Sequence, residues 1–167
     1  GVAALVTPDQ VLARRVKAEL GRWGIEPDDS AGRPLGLTPP GILLGLAAGR
    51  IGRPMTAEAL AALLRHPLTC APARRAHLRC LGFLTREALR GGAREIDWDR
   101  MTARLDARRS DPLRPAKAPE GFDAWLAWLR ALLAPLAEPP SGAAACVALH
   151  RAAAEALTFQ GESYGEV

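Results

Sequence analysis

Val2-Ala3-Ala4-Leu5-Val6-Thr7-Pro8-Asp9-Gln10 is a short apolar run that leads straight into a helix-start signal. In the tetrad Thr7-Pro8-Asp9-Gln10, Thr7 is suited to cap a helix and Pro8 to the first helical position. Gln10 is placed to close a capping box. The spacing of Leu12, Val16, Leu20 and Trp23 predicts one apolar helical face, ending at Gly24. Ile25-Glu26-Pro27-Asp28-Asp29-Ser30 then returns to extended chain. A strand over Val2–Thr7, a helix and a second extended segment near Ile25–Asp28 is the opening of a βαβ unit. No glycine-rich phosphate loop stands at its turn.

Working outward, the chain is mainly helical. Thr38-Pro39-Pro40 starts a helix carrying Ile42, Leu43, Leu44 and Leu46, stopped near Gly49. Thr56 caps another with Leu60, Leu63 and Leu64, and His66-Pro67 ends it, because the residue before proline is pushed out of helical geometry. Further helices are expected over about Ala73–Leu89, with Gly91-Gly92 as its stop, and over Asp97–Arg109 with Trp98, Met101 and Leu105 inward. Asp111–Pro119 reads as a connector. Phe122, Trp125, Leu129, Leu132, Leu133 and Leu136 form a strong stripe. Ser141 caps a last helix over Ala143–Leu157.

Composition sets bounds. With 167 residues and 49 % hydrophobic content, the chain has material for a core and for one domain, or one plus part of another. No apolar run approaches the ~18 residues that span a bilayer, and the N-terminus carries no basic region followed by an apolar core. Cys70, Cys80 and Cys146 are odd in number and widely spaced, which points to reduced thiols. The expectation is a cytoplasmic protein with no membrane partner. The net charge of +4 is carried almost wholly by arginine, since Lys17 and Lys117 are the only lysines. Two readings fit. Arginine makes bidentate phosphate contacts, which suggests a nucleic-acid partner; and alanine, arginine, glycine and proline rise together in a GC-rich genome.

The candidate chemistry is sparse. The P-loop pattern and the G-x-S-x-G elbow are both missing. Asp28 and Asp29 suit magnesium but equally a solvated turn. His66, Cys70, His77 and Cys80 are spaced H-x3-C-x6-H-x2-C, four residues of zinc-binding type. A helix there puts Cys80 beside Leu81 and Leu84, so a helix-ending His-Pro and buried thiols is the preferred account, and no metal is assigned. Trp125 and Trp128 belong to a leucine-rich helix, and core packing is expected of the tryptophans generally. The basic clusters are Arg14-Arg15, Arg74-Arg75 with Arg79, and Arg108-Arg109. Each suits a solvated helical face or a phosphate-tracking surface.

The order of elements resembles the C-terminal half of superfamily 1 helicases of the UvrD type. The pieces that carry this are Ala3-Ala4-Leu5-Val6-Thr7, then Ala13-Arg14-Arg15 through Glu19-Leu20-Gly21-Arg22-Trp23-Gly24-Ile25, then Leu63-Leu64-Arg65-His66-Pro67-Leu68. More narrowly, four stretches resemble the AddB family, the helicase–nuclease subunits of the alphaproteobacterial double-strand-break repair complex. These are Leu5-Val6-Thr7-Pro8-Asp9, Asp28–Leu35 with Thr38-Pro39-Pro40-Gly41, Arg65-His66-Pro67-Leu68, and Ala154-Glu155-Ala156-Leu157 with Gly161-Glu162.

This resemblance implies an internal piece of a larger protein. Residues 1–50 would begin a degenerate RecA-like helicase half, and 51–167 would be a helical inserted accessory domain attached to that βαβ remnant. The parent is then an ATP-dependent helicase and exonuclease acting in DNA repair and recombination. It would use ATP, Mg and an iron–sulfur cluster held outside this chain, alongside an AddA-like partner. The fragment itself is expected to have no catalytic or cofactor-binding residue. Arg14, Arg15, Arg65, Arg74, Arg75 and Arg79 are its candidates for DNA contact. The alternatives are a helical protein–protein interaction module without DNA contact and a small zinc-binding helical regulator.

In the UvrD-type pattern an arginine near the end of the first strand serves the ATP site, and Pro8 stands there in this chain. With no phosphate loop either, phosphate release from ATP in the presence of single-stranded DNA should stay at background. Turnover abolished by a point mutation within these residues would overturn that expectation.

Overall fold

The computed structural model describes residues 3–28, 32, 34–90, 95–138 and 140–159. Among them lie seven α-helices and no strand: α1 (Gln10–Arg22), α2 (Pro39–Ala48), α3 (Ala57–Arg65), α4 (Arg74–Leu84), α5 (Trp98–Arg109), α6 (Phe122–Ala137) and α7 (Ala143–Phe159). A 3-10 turn, Leu35–Leu37, precedes α2, and a π-helical turn, Thr85–Leu89, prolongs α4. None of the helices is long and apolar enough to cross a membrane among the described residues. The chain packs as two units, Gly1–Pro34 and Leu35–Val167. Helix α2 packs on α3 and α7, which ties residues 39–48 to the larger unit.

The mainly helical expectation holds for the described residues as a whole, and in the smaller unit the βαβ remnant is not seen. Ala3–Thr7 and Ile25–Asp28 are neither helix nor paired strand, while Val2, Asp29 and Ser30 lie outside the described residues. A strand exists only by pairing, and an apolar pattern cannot supply the partner. The start of α1 is also shifted. Asp9 is the cap, its Oδ1 accepting from the Val11 and Leu12 amides at 2.7 and 3.2 Å, and Thr7 Oγ1 accepts from the Asp9 amide at 3.1 Å. A carboxylate caps as well as a hydroxyl and adds a favourable charge at the positive helix end. At the other end Gly24 has φ +71°. There the Ile25 amide donates to Leu20 O and the Gly24 amide to Gly21 O, a complete Schellman motif.

In the larger unit the helix starts follow from their caps. Thr38, Thr56 and Asp97 each accept from a backbone amide in the first turn of α2, α3 and α5. Gly41 is required: a Cβ there would collide with the carbonyl of Leu35. The apolar stripe of α6 is buried at Phe122, Trp125, Leu129, Leu133 and Leu136. It meets Leu81 and Leu84 from α4, Leu60 and Leu64 from α3, and Leu157 from α7 in one core. Phe83 and Phe122 pack edge to face at 4.8 Å. The expected Ala73–Leu89 helix is present, but its last turn is π-helical. Its proposed stop, Gly91-Gly92, lies outside the described residues.

The join between α3 and α4 is polar and buried. Proline at 67 turns the chain at His66, leaving the last carbonyls of α3 without helical partners. Thr69 Oγ1 donates to Leu63 O at 2.8 Å. His77 Nε2 meets Leu64 O at 2.8 Å, and Trp125 Nε1 donates to His77 Nδ1 at 3.0 Å. Since Nδ1 accepts, Nε2 carries the proton and the ring is neutral. Burial depresses the His77 pKa below 6.5, outweighing the Leu64 hydrogen bond that raises it, and the Arg74 charge depresses it further. His66 is shifted the same way, by burial first and then by Arg74.

The unfolded chain therefore binds more protons than the folded one once the pH drops below about 6.5, and stability must fall with it. Thermal melts should be flat from that pH to about 8 and decline at lower pH; a second decline is expected in the alkaline range, where the unfolded chain ionises the buried Cys70 and Cys80 thiols first. The shifts of Glu87 and Asp111 are also downward and act lower, beneath their ordinary values of 4.5 and 3.8. Replacing His77 with Gln should flatten most of the decline between about pH 6.5 and 5. An unchanged slope in that variant would place its origin elsewhere.

Candidate nucleic-acid interface

The six arginines singled out for DNA contact do not behave alike. Arg14 and Arg15 are exposed on α1, with Arg14 Nε donating to Gln10 O at 3.2 Å. They belong to the smaller unit. Arg65 is the last residue of α3 and is exposed. Arg75 and Arg79 are exposed one helical turn apart on α4, about 6 Å along its axis.

Arg74 is different. Its guanidinium turns inward and donates to Leu64 O and Thr69 O at 3.1 Å each, and to Arg65 O at 2.6 Å. Adjacent residues on a helix point about 100° apart, so the Arg74-Arg75 pair divides into one structural and one exposed side chain. Arg74 therefore leaves the candidate set for phosphate contact.

Helix α4 itself contains no Asp or Glu. No Asp or Glu occurs anywhere between Glu58 and Glu87. Arg65, Arg75 and Arg79 have no hydrogen-bonding or ion-pair side-chain partner among the described residues, whereas Arg109, Arg130 and Arg151 are paired with Asp123, Asp99 and Glu155. Exposed Leu78 lies between Arg75 and Arg79, and Gly82 continues the face with nothing within 4 Å of where its Cβ would be. That acid-free interval was the sequence signal for this face, and a search confined to arginine pairs passes over it.

The four residues of zinc-binding type are placed by folding instead. Both ring nitrogens of His77 are taken by hydrogen bonds. His66 Nδ1 accepts from the Leu68 amide at 3.3 Å. Cys70 is buried in left-handed backbone, φ +49°, and its amide donates to Leu157 O at 2.7 Å. Burial pushes its thiol up to about 11, against a smaller downward pull from Arg74, and burial raises that of Cys80 as well. Neither thiol is poised to ionise. No cluster of three or more metal-ligating side chains occurs among the described residues.

Of the tryptophans, Trp125 is buried and Trp98 and Trp128 are half-buried, but Trp23 is 80 % exposed and is not core. Asp28 is exposed, and Asp29 lies outside the described residues. No protein-family model, curated protein or solved structure matches the chain.

The division between the two neighbouring arginines is measurable. Arg74→Ala leaves at least the Arg65 and Thr69 carbonyls without this donor, and a charged hydrogen bond is worth about 1.5–3 kcal/mol. Urea unfolding should give a loss of about 2–4 kcal/mol for Arg74→Ala and a change within about 0.5 kcal/mol for Arg75→Ala. Equal effects would refute the inward role of Arg74.

Proposed function

We propose that this chain is a non-catalytic helical piece of an AddB-like helicase–nuclease subunit, and that the outer face of α4 touches DNA phosphates. The observation that carries the proposal is the pair Arg75 and Arg79, exposed one turn apart on a helix with no carboxylate and no ion-pair partner among the described residues. Guanidinium groups so arranged attract a phosphate backbone without reading bases. Arg65 adds charge at the end of the neighbouring helix.

In this reading the work of the parent is unwinding and degrading broken DNA ends during recombinational repair in the cytoplasm. ATP, Mg and the iron–sulfur cluster belong to other parts of that subunit. Ala3–Thr7 and Ile25–Asp28 are then segments for which the rest of the subunit supplies the sheet of a RecA-like half. Protein contact, for example with an AddA-like partner, is a second reading. It is favoured by α1, which buries no residue although Leu12, Val16, Leu20 and Trp23 share one side of it.

Fluorescence anisotropy of the 167-residue chain against a short single strand and a forked duplex tests the DNA reading. Binding should be weak, indifferent to sequence and steeply salt-dependent, because each phosphate contact releases counterions. Exchanging both Arg75 and Arg79 for alanine should weaken it uniformly and flatten the salt slope by about one to two units. Absence of binding at low ionic strength removes the DNA role and leaves protein contact.

A further inference from the structure

Where α4 passes into its π-helical turn, one carboxylate holds two arginines. Glu87 is 8 % exposed. Its Oε1 accepts from Arg86 Nε at 2.6 Å, and its Oε2 accepts from Arg108 Nε, on α5, at 3.3 Å. The hydrogen bond from Arg86 is the largest cause of a lowered Glu87 pKa, so the group is ionised at neutral pH. Arg86 is fixed a second time by the ring of Phe83, 5.8 Å from its Cζ, and Arg108 by Asp111, at 3.3 Å from its Nη1.

Both guanidiniums stay accessible, with 60 % and 44 % of their side chains exposed. Each spends its Nε on Glu87. Both Nη atoms of Arg86 and Nη2 of Arg108 have no hydrogen-bond partner among the described residues. A guanidinium has five donors in a rigid fork, so holding it through Nε orients the remaining donors.

Position adds a second argument. Arg75 and Arg79 stand at i and i+4 on α4 with Gly82 following on the same face, and Arg86, exposed like them, stands in the π-helical turn that prolongs the helix. Arg86 ends that row, and Glu87 joins it to Arg108 on the next helix. A buried carboxylate is costly unless paired and hydrogen-bonded. Here the pairing meets that requirement and also sets the direction of two arginines.

We propose that Arg86 and Arg108, oriented by Glu87, form a preorganised seat for one phosphodiester group of nucleic acid at the end of the α4 arginine row. Glu87 is a positioning residue and touches no phosphate. The inference rests on the DNA reading above and adds a defined phosphate position to it. It also separates geometry from charge: Glu87→Gln makes the surface more positive, yet it removes the anion that aims both forks.

The test is anisotropy of the full chain on a short single strand across a KCl series, with helicity of each variant checked by circular dichroism. Glu87→Gln should bind about three- to tenfold more weakly in spite of its added positive charge, and Arg86→Lys should weaken binding similarly, because lysine keeps the charge without the fork. Arg86→Ala should flatten the salt slope by about one unit. Inorganic phosphate should compete only at concentrations far above those of the strand; equal competition would make the seat one for free phosphate and overturn the nucleic-acid assignment. Glu87→Gln binding as tightly as the unsubstituted chain, or more tightly, overturns the seat. If Glu87→Gln loses its helicity, Arg86→Lys decides, and unchanged affinity in that variant overturns it. No binding by the unsubstituted chain defeats both readings. Binding that falls for the Arg75 and Arg79 double variant but not for these two defeats the seat alone.

Discussion

Leu63, Leu64 and Arg65 end α3 with carbonyls that no helical amide reaches, and the larger unit is organised by the side chains that satisfy them. Thr69 takes the first, His77 and Arg74 share the second, and Arg74 takes the third. Each donor comes from the loop or from α4, so satisfying the end of α3 fixes where α4 begins and how it is rotated. Trp125 extends the arrangement to α6 by donating to the same histidine. A buried carbonyl left unpaired costs about 1–3 kcal/mol. Losing this set would consume a large share of the roughly 5–15 kcal/mol by which a domain is stable.

Rotation of α4 decides its outer chemistry. With His77, Cys80, Leu81 and Leu84 turned to the core, Arg75, Leu78, Arg79 and Gly82 face outward. The loop that permits this passes through Cys70 in left-handed backbone, an uncommon conformation for a side chain other than glycine. Its amide bond to Leu157 anchors the turn against α7. The polar junction and the arginine face are therefore two consequences of one placement, and changing the first would turn the second.

Local signals made most of the helices legible. Thr38, Thr56, Asp97 and His66-Pro67 each act on their own first or last turn, and those boundaries agree with the structure to within a residue or so. The α6 stripe is likewise a matter of spacing. What escaped depends on residues distant in sequence. Val2–Thr7 has the composition of a strand, yet pairing is nonlocal and its described part, Ala3–Thr7, has no strand partner. Arg74 and Arg75 are indistinguishable as neighbours, and only the end of α3 tells them apart. The tie between Glu87 and Arg108 joins two helices across an intervening loop, so no local pattern announces it. Arg74, Arg75 and Arg79 read as one cluster in the sequence, whereas the structure turns Arg74 inward and leaves Arg75 and Arg79 exposed.

Magnitudes separate what folding needs from what it merely tolerates. Like charges at i, i+4 on an exposed helix destabilise it by about 0.2–0.5 kcal/mol, a small term beside the several kcal/mol held in the buried face. Arg75 and Arg79 are thus carried, exposed, by α4 at slight cost. Elsewhere the repulsion between arginines is relieved locally, as with Arg109, which lies beside Asp123 and over the ring of Phe122. On α4 no carboxylate lies within the helix, and the first acid after it is drawn inward between Arg86 and Arg108. Stability alone would be served by a Glu four residues from either arginine, since an opposite-charge pair at that spacing turns the same small term favourable. Among the described residues the positive row on α4 is left uncompensated, and a helix anchored by its buried face carries that small cost without loss of the fold.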